Sequence, residues 1–434
     1  MGTKLERIME ISATTPKPEF TSLYHLINTE MLKQCHKELD GSKAVGTDKI
    51  TKAEYEEHLE ENLTNLVCKL KNKAYKPLPS LRVFIPKANG KKRPLGIASY
   101  EDKIVQLAVK KILEAIYIYE PRFLNCMYGF RPNRGCHDAI KDVHHQISDR
   151  YINYVVDADI KGFFDHMSHE WMMEFLKLYI KDPNLLWLIN KYLKAGVMTD
   201  GVFEESDEGS AQGNIISPIL ANIYMHNVLT LWYKFVVIGK TTGDSFLTVY
   251  ADDFIAGFQH REDAENYYAI LKERLKKFNL ELEESKSRLI EFGRYAESNS
   301  KRMYGRKPET FDFIGFTFYC GKGKKYGNFC VKLKTNRKKF QQKLKLIKEW
   351  LYENSTMPVK ELITKLNTKL VGHYRYYGVS HNIAKIGAFL HFVQRYLFKV
   401  LNRRSHRKSY TWDGYIDMLK VYPLAKPKIY VKLF

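Results

Sequence analysis

The chain has 434 residues, 44% of them hydrophobic, which excludes a disordered chain and allows two or three domains with a sizeable core. Its 70 Lys and Arg residues outnumber 49 Asp and Glu residues and leave a formal net charge of +21, so a polyanionic partner is expected. Nucleic acid is favoured over an anionic membrane surface, because 29 Tyr and 24 Phe residues offer flat rings on which unpaired bases stack.

The six cysteines are scattered, with no Cys-x-x-Cys pair and no Cys/His set at zinc spacing, so reduced thiols are expected. The N-terminus lacks the apolar core of a signal peptide, and no apolar run approaches about 18 residues. These patterns predict an intracellular, cytoplasmic protein without a membrane partner.

The first 78 residues predict a charged, helical N-terminal extension, because apolar residues recur at helical intervals around residues 22–27 and 52–66. Residues 81–97 then predict a β-hairpin around Asn89-Gly90. Its basic flanks, which include Lys87 and Arg93, could clamp a triphosphate. The alternative is an edge hairpin that is protected by charge alone.

A helix is predicted over residues 102–119 and another over 136–149, with a compact basic turn between them that carries Arg131 and Arg134. Residues 154–156 predict a buried strand. Asp157 and Asp159 follow it and share one face if the strand persists, because strand side chains alternate.

A glycine-flanked loop opens a helix near residue 213. Gly213 permits close backbone approach to a ligand, and Gln212 offers both a hydrogen-bond donor and an acceptor.

Tyr250-Ala251-Asp252-Asp253 lies between two runs of β-branched and aromatic residues, which predicts a hairpin with adjacent carboxylates at its tip. Carboxylates on a rigid turn suit Mg²⁺, although a solvated Asp-Asp turn is the plain alternative. A strand–helix–strand–strand order, the split βαβ arrangement of a small antiparallel sheet, would bring Asp159 to this turn.

After the turn the pattern predicts a helix over residues 261–278, a turn and strand over 280–292 that carries Lys286, a polar loop over 294–310 and a strand over 311–319. From residue 335 onward the chain is helical and basic. Exposed phosphate-binding cations or a plain solvated face would both account for the charges, which include Arg337, Lys338, Arg395, Lys399 and Arg403.

Taken together, these segments resemble the motifs of a reverse transcriptase of the bacterial group II intron-encoded class. They stand in the family's order and at family-like spacing over roughly residues 40–430. The segments are Ile85-Pro-Lys to Arg93-Pro-Leu-Gly-Ile, Tyr128-Gly-Phe-Arg-Pro-Asn-Arg, Asp159-Ile-Lys-Gly-Phe-Phe-Asp, Gln212-Gly-Asn-Ile-Ile-Ser-Pro-Ile-Leu-Ala-Asn-Ile, Tyr250-Ala-Asp-Asp, Lys286, Phe313-Ile-Gly-Phe and the maturase-like Gly372-His-Tyr-Arg-Tyr-Tyr-Gly.

The resemblance implies an α+β right-hand polymerase with three parts. These are an N-terminal helical extension (residues 1–78), fingers and palm (79–330) and a basic helical, maturase-like thumb (331–434). The chain stops soon after the thumb-like segment, so neither a separate DNA-binding domain nor an endonuclease domain is expected.

The resemblance also assigns site residues. Asp159, Asp252 and Asp253 match the catalytic carboxylates, with Asp159 and Asp252 as the principal ligands of two Mg²⁺ ions, for which Mn²⁺ could substitute. Ile160 would contribute through its backbone, and Lys286 matches a proton donor to pyrophosphate. The remaining assignments are Lys87 and Arg93 for the triphosphate, Phe164 for exclusion of a 2′-hydroxyl, and Gln212 and Gly213 for the nascent pair. The candidates for nucleic-acid binding come from their charge and not from the resemblance: Arg131, Arg134, Arg337, Lys338, Arg395, Lys399 and Arg403.

The implied activity is RNA-directed DNA synthesis from deoxynucleoside triphosphates, on an RNA template with a DNA or RNA primer. The implied further partner is group II intron RNA, whose splicing and mobility the protein would assist. Two alternatives stay open: a maturase or RNA-binding splicing factor, and a domesticated reverse transcriptase in defence or repair. The oligomeric state is left open.

Overall fold

The computed structural model describes residues 2–86, 92–118, 122–205, 207–210, 212–323, 327–404 and 409–433. The chain forms two compact units. The first comprises Met1–Ala139, Val156–Ala256 and Arg261–Leu289, and the second comprises Ile140–Val155, Gly257–His260 and Ile290–Phe434. The described residues combine many helices with three small sheets, which confirms the predicted α+β class.

The α-helices follow one another along the chain as α1 (Gly2–Thr14), α2 (Thr29–Glu38), α3 (Lys52–Glu57), α4 (Leu59–Lys71), α5 (Tyr100–Tyr117), α6 (Cys136–Asp149), α7 (His169–Lys177), α8 (Pro183–Leu193), α9 (Ser217–Met225), α10 (Arg261–Lys277), α11 (Ala296–Tyr304), α12 (Arg337–Glu353), α13 (Val359–Tyr377), α14 (Ile383–Asn402) and α15 (Trp412–Val421). Helix α9 continues into two π-helical turns, His226–Thr230 and Tyr233–Val237.

The strands are β1 (Ser80–Pro86), β2 (Lys92–Ile97), β3 (Tyr154–Ala158), β4 (Val197–Thr199), β5 (Val202–Glu204), β6 (Ser245–Tyr250), β7 (Asp253–Phe258), β8 (Arg288–Glu291), β9 (Phe311–Phe313), β10 (Phe316–Lys322) and β11 (Phe329–Thr335). They form three sheets of order β2-β1-β4-β5, β6-β7-β3-β8 and β11-β10-β9.

The predicted hairpin over residues 81–97 is confirmed. Strands β1 and β2 pair antiparallel, with Val83 opposite Leu95 and Ile85 opposite Arg93. The predicted Asn89-Gly90 turn and Lys87 lie outside the described residues. The hairpin therefore places Arg93 on the same sheet face as its partner Ile85.

The sheet β6-β7-β3-β8 positions the acidic residues. Strands β6 and β7 are separated only by Ala251 and Asp252, and β7 lies between β6 and β3. The middle residues of β6 and β7 are buried, so packing holds the turn between them. This strand order agrees with the predicted strand–helix–strand–strand arrangement.

The N-terminal extension is tied to the rest of the first unit by buried polar groups. The carboxylate of Asp182 accepts hydrogen bonds from the amides of Leu23 (2.6 Å) and Tyr24 (2.7 Å), and it also caps the start of α8. The guanidinium of Arg122 donates to the carbonyl of Pro16 (2.9 Å). The carboxylate of Asp182 thus bonds both the N-terminal extension and the start of α8, so loss of one segment removes a stabilising contact from the other.

Two predictions for the second unit were wrong. Residues 294–310, predicted as a polar loop, contain α11, whose Ala296 and Ser300 are buried, and Gly305 ends this helix in a left-handed conformation (φ 61°). The single strand predicted over 311–319 is instead the two strands β9 and β10, because Ile314 and Gly315 adopt φ values of 46° and 78°. Neither the short buried face of α11 nor the tight turn at residues 314–315 can be recognised from the amino-acid composition.

Among the described residues, no helix combines the length and the apolar character that crossing a membrane requires.

Candidate active site

The acidic turn is held by a segment from another part of the first unit. Ala251 adopts a left-handed φ of 59°, which is unusual for a residue with a β-carbon. Residues 126–128 pair with β6: the amide of Tyr128 donates to Val249 O (2.9 Å), and the amide of Val249 donates to Cys126 O (2.8 Å). Gly129 follows, and a β-carbon there would lie 2.4 Å from the Ala251 nitrogen. Only glycine, which has no β-carbon, allows the backbones of residues 129 and 251 to come this close.

The same segment has its own support. The buried side-chain amide of Asn222, on α9, donates to the Gly129 carbonyl (2.8 Å). Arg131 is only 8% exposed, and its guanidinium donates to the carbonyls of Leu124 (2.8 Å) and Ile118 (2.8 Å). This placement disagrees with the expectation that Arg131 contacts nucleic acid, because its donors are engaged by the protein's own backbone.

Arg134 is also engaged locally. It donates to the carbonyl of Asn125 (2.6 Å), and its guanidinium carbon lies 5.5 Å from the centre of the Tyr128 ring. Arg134 therefore stiffens the basic turn, whereas any contact with nucleic acid stays a prediction.

Asp159 lies directly after β3 and is held from the β8 side. Its amide donates to the Ser287 hydroxyl (3.2 Å), and its carbonyl accepts from the amide of Glu283 (2.8 Å). The ammonium of Lys286 donates to its carboxylate. Sequence analysis assigned Lys286 but missed Ser287, although Ser287 is its neighbour.

Ile160 forms an antiparallel bridge with Leu282. The hydrogen bonds of this bridge are made by Asp159 and Lys161 on either side, so they do not use the main-chain oxygen of Ile160. A backbone contribution from Ile160 to a bound cation is compatible with this arrangement.

The pKa values show that the carboxylates interact. Burial raises the pKa of Asp252, and the negative charge of Asp159 raises it further, while Arg93 and Lys286 oppose the change. The surrounding protein raises the pKa of Asp253 to about 7, first by withdrawing water and then through the charges of Asp252, Asp159 and Asp157. Asp159, Asp252 and Asp253 are thus brought together, from positions 93 residues apart.

Lys286 is the cation that offsets this charge. Its hydrogen bond with Asp159 raises the pKa of the ammonium, which stays protonated. Arg288 serves the neighbouring acid in the same way, because its guanidinium lies 3.3 Å from the carboxylate of Asp157. The two strand-end aspartates therefore have separate partners.

The described residues contain no group of three His, Cys, Asp or Glu side chains that are already placed around a metal position. The donors nevertheless suit a hard divalent cation. Burial, and after it the charge of the neighbouring aspartates, raises the pKa values of Asp252 and Asp253, while the ammonium of Lys286 contacts Asp159. Mg²⁺ binds carboxylate oxygens whose negative charge is not balanced by nearby cations.

Arg93 and Gln212, which were predicted to contact different parts of the substrate, meet across 119 residues of sequence. The guanidinium of Arg93 donates through Nε to the side-chain oxygen of Gln212 (2.8 Å), and the amide of Gly96 donates to the Gln212 carbonyl (2.7 Å). Gly213 adopts φ 115°, and a β-carbon there would lie 2.7 Å from the Gly96 oxygen. The loop and the basic hairpin therefore form one unit.

Phe164 is 9% exposed and stands in a single 3₁₀ turn, with its ring centre 5.4 Å from that of Phe163. The amide of Ser210 donates to its carbonyl (2.7 Å), and a β-carbon at Gly209 would lie 2.6 Å from the Asp165 oxygen. The glycine loop thus fixes the backbone that carries the Phe164 ring.

In the second unit, the cations predicted to bind nucleic acid are exposed: Arg337, Lys338, Arg395, Lys399 and Arg403. Apolar residues of α14 such as Phe389 and Leu397 are fully buried. Helix α14 therefore presents a basic face opposite its buried face.

Comparisons with known proteins match two consecutive parts of the chain. Residues 85–318 match the family described as "Reverse transcriptase (RNA-dependent DNA polymerase)", and residues 337–415 match "Group II intron, maturase-specific domain".

The chain is 38% identical over 237 residues to the "Group II intron-encoded protein LtrA" of Lactococcus lactis subsp. cremoris; the match covers 53% of the chain and 39% of that protein. It is 36% identical over 207 residues to "Protein YkfC" of Escherichia coli strain K12, covering 47% of the chain and 54% of that protein. The chain thus matches about half or less of the length of these relatives.

Proposed function

The chain belongs to the reverse transcriptase (RNA-dependent DNA polymerase) family, and we propose on this premise that it extends a primer on an RNA template. In this proposal residues 79–330 form the fingers and palm, residues 331–434 form the thumb, and residues 1–78 form an N-terminal helical extension. Deoxynucleoside triphosphates are the substrates.

The interaction between Asp159 and the Asp252-Asp253 pair is the observation that carries the proposal. Strand order alone would bring the two segments near each other, but the raised pKa values show that their charges act on one another. Arg93 acts on Asp252, whereas Asp157 acts on Asp253, so the adjacent aspartates have different neighbours. We therefore assign Asp252, with Asp159, as the principal metal ligand.

Mg²⁺ would be held by Asp159, Asp252 and the main-chain oxygen of Ile160, with Asp253 contributing mainly charge; Mn²⁺ has the same ligand preference. When bound, two such ions stabilise the attacking and leaving oxygens of an in-line displacement. The protein's own residues then have the task of placing the nucleotide.

Arg93 and Lys87 bind the triphosphate in this proposal, and Gln212 orients the Arg93 guanidinium before the nucleotide arrives. Lys286 donates its proton to the departing pyrophosphate, which its retained charge supports. The ring of Phe164 excludes a ribose 2′-hydroxyl, since its backbone is fixed by the loop at Gly209.

The direct test is Mg²⁺-dependent extension of a primer on an RNA template by purified Asp252→Ala protein. The variant should bind RNA like the wild type and lose extension, because it lacks a principal metal ligand. Asp200→Ala is the matched control, since Asp200 is an exposed aspartate in the hairpin turn between β4 and β5 of the same unit. Extension retained by Asp252→Ala would overturn the mechanism.

A second function is favoured by the maturase-specific match over residues 337–415 together with the exposed cations there. We propose that this part binds group II intron RNA and assists splicing. A splicing assay on RNA that flanks the gene, run with wild-type and Asp252→Ala protein, tests it. Splicing by the polymerase-deficient variant would show two separable functions, and no splicing by either protein would contradict the proposal.

A further inference from the structure

A basic and aromatic surface lies in the second unit, over residues 294–307, where the sequence predicted only a polar loop. The seven consecutive residues 301–307 are all exposed, and four of them are cations: Lys301, Arg302, Arg306 and Lys307. We call residues 294–307 the 294–307 surface. None of its residues belongs to the candidate active site or to the basic face of α14.

Aromatic rings accompany these cations. Tyr295 is 59% exposed and Tyr304 is 63% exposed, which is unusual for large rings that could have been buried. The guanidinium carbon of Arg306 lies 5.0 Å from the Tyr304 ring centre, and that of Arg294 lies 5.2 Å from the ring centre of exposed Tyr151. Flat rings beside cations are the arrangement on which unpaired bases stack.

The positive charge of this surface is only partly balanced. Arg306 pairs with Glu309 at 3.5 Å. Within the described part of the chain, Lys301, Arg302 and Lys307 have no acidic side chain within ion-pair distance. Three neighbouring cations without acidic partners repel one another, and this repulsion is unfavourable in the free protein. A bound polyanion would reduce it.

The helix dipole of α11 explains only some of the exposed cations and none of the exposed rings. Lys301 and Arg302 lie in the last turn of α11, where cations interact favourably with the helix dipole. Lys307 lies beyond Gly305, where the helix has ended, and the exposed rings contribute nothing to the dipole. The surface therefore needs a further explanation.

We propose that the 294–307 surface binds an RNA segment with unpaired nucleotides. Lys301, Arg302 and Lys307 contact its phosphates, while Tyr295 and Tyr304 stack on its bases. An anionic membrane would use the cations but not the flat rings. The inference rests on the proposed function in one respect, because that function makes RNA a partner of this chain.

The test measures binding of single-stranded polyadenylate RNA by the full chain at several salt concentrations. In Lys301→Ala/Arg302→Ala/Lys307→Ala, we expect the salt dependence (the slope of log K against log salt) to fall by about 2, since each lost contact to a single strand removes about 0.7. In Tyr304→Ala, we expect affinity for unpaired RNA to drop about tenfold, with little change for an RNA duplex of equal length.

The control variant removes three lysines that already have acidic partners and lie outside residues 337–415. Lys177, Lys272 and Lys420 pair with Glu174, Glu284 and Asp417 at 2.7, 2.8 and 2.7 Å. Lys177→Ala/Lys272→Ala/Lys420→Ala removes the same number of charges and tests whether net charge alone weakens RNA binding. Lys307→Glu supplies a variant that cannot disturb α11, because residue 307 lies outside the helix.

RNA affinity in the triple variant equal to that of the wild type or of the control would overturn the inference. So would equal losses of Tyr304→Ala for paired and unpaired RNA. Primer extension by the wild type, measured in parallel, separates the two proposals. If the wild type extends primers while the triple variant binds RNA normally, only the 294–307 surface is disproved.

Discussion

Gly129 and Ala251 are in backbone contact, such that a β-carbon at position 129 would lie 2.4 Å from the Ala251 amide nitrogen. Ala251 holds a left-handed φ of 59°, so its backbone has few alternative conformations that keep the turn. The acidic turn is therefore positioned by the Tyr128-Gly129 segment as well as by its own strands.

We expect Gly129→Ala to shift the turn and to slow primer extension by about a hundredfold, the cost that a displacement near 1 Å can impose on catalysis. Gly387→Ala is the matched control, because the new β-carbon meets open space inside α14 and alanine favours a helix by about 0.5–1 kcal/mol. Single-turnover extension and thermal unfolding should be measured on both. Wild-type extension by Gly129→Ala would show that the turn moves freely.

Lys286 should set the pH dependence of extension. Its charge lowers the pKa of Asp252 and Asp253, so Lys286→Met should raise the pKa of Asp253 above its value of about 7. A higher pKa means that the carboxylate ionises only at higher pH, and the acid limb of the pH–rate profile should move upward accordingly.

Lys286→Arg keeps the charge and should return the acid limb toward that of the wild type. Lys272→Met is the control, because Lys272 also pairs with a carboxylate of the first unit, Glu284, at 2.8 Å. An acid limb that stays in place in Lys286→Met would argue against this role.

Gln212 should act on nucleotide binding through Arg93. Gln212→Ala removes the acceptor that orients the guanidinium, and we expect the KM for deoxynucleotides to rise about tenfold, the value of one hydrogen bond to a charged group. Gln34→Ala is the control, because the exposed side chain of Gln34 bonds Glu38 on its own helix α2. A change in kcat alone would contradict the positioning role.

Phe164 should determine the choice of sugar. Phe164→Ala opens space beside the nucleotide, and we expect the ratio of ribonucleotide to deoxynucleotide kcat/KM to rise about tenfold. Phe163→Ala removes the neighbouring ring, which is 2% exposed, and should lower stability without changing that ratio. If the ratio of ribonucleotide to deoxynucleotide kcat/KM is unchanged in Phe164→Ala, Phe164 does not exclude ribonucleotides.

His373 should make the second unit sensitive to acid. Burial, with Lys343 nearby, lowers the pKa of His373 to about 4, and its ring stacks on Phe389 at 3.7 Å. Between pH 6.5 and 4 the unfolded chain binds a proton that the folded chain does not, so stability should rise with pH across this window by roughly 3 kcal/mol.

Thermal unfolding across that window checks this. His373→Gln should make the dependence less steep without removing it, because buried His144 of the same unit also has a pKa lowered to about 4. His391→Gln, at the surface of α14, should keep the full dependence. If the stability of His373→Gln changes with pH as steeply as that of the wild type, another group causes the acid sensitivity.

Local patterns were sufficient where side chains alternate or recur. The basic hairpin, the strand before Asp159 and the turn at Asp252 follow from β-branched runs and turn residues, whereas the hydrogen bond between Arg93 and Gln212 was not predicted. Contacts that depend on three-dimensional closeness were not visible. Nothing in the composition around Asn222 indicates that its amide holds Gly129, and an arginine in a basic turn gives no sign, as with Arg131, that backbone carbonyls bind it.

Helix α11 shows a second limit. Its sequence is polar because only Ala296 and Ser300 face the interior, too few residues to produce a helical period. Polar composition predicted a loop, whereas tertiary packing of two small residues was enough to order a helix.

The carboxylate of Asp182 has a consequence for shortened versions of this protein. A chain that began after residue 78 would lose the amides of Leu23 and Tyr24, which bond a carboxylate that is 3% exposed in the intact chain, and would keep only the amides at the start of α8 as its donors. Trimming the first segment would thus damage a helix more than a hundred residues away. Expression trials that treat the N-terminal segment as dispensable should yield aggregated protein, and Asp182→Asn should partly rescue its solubility by removing the stranded charge.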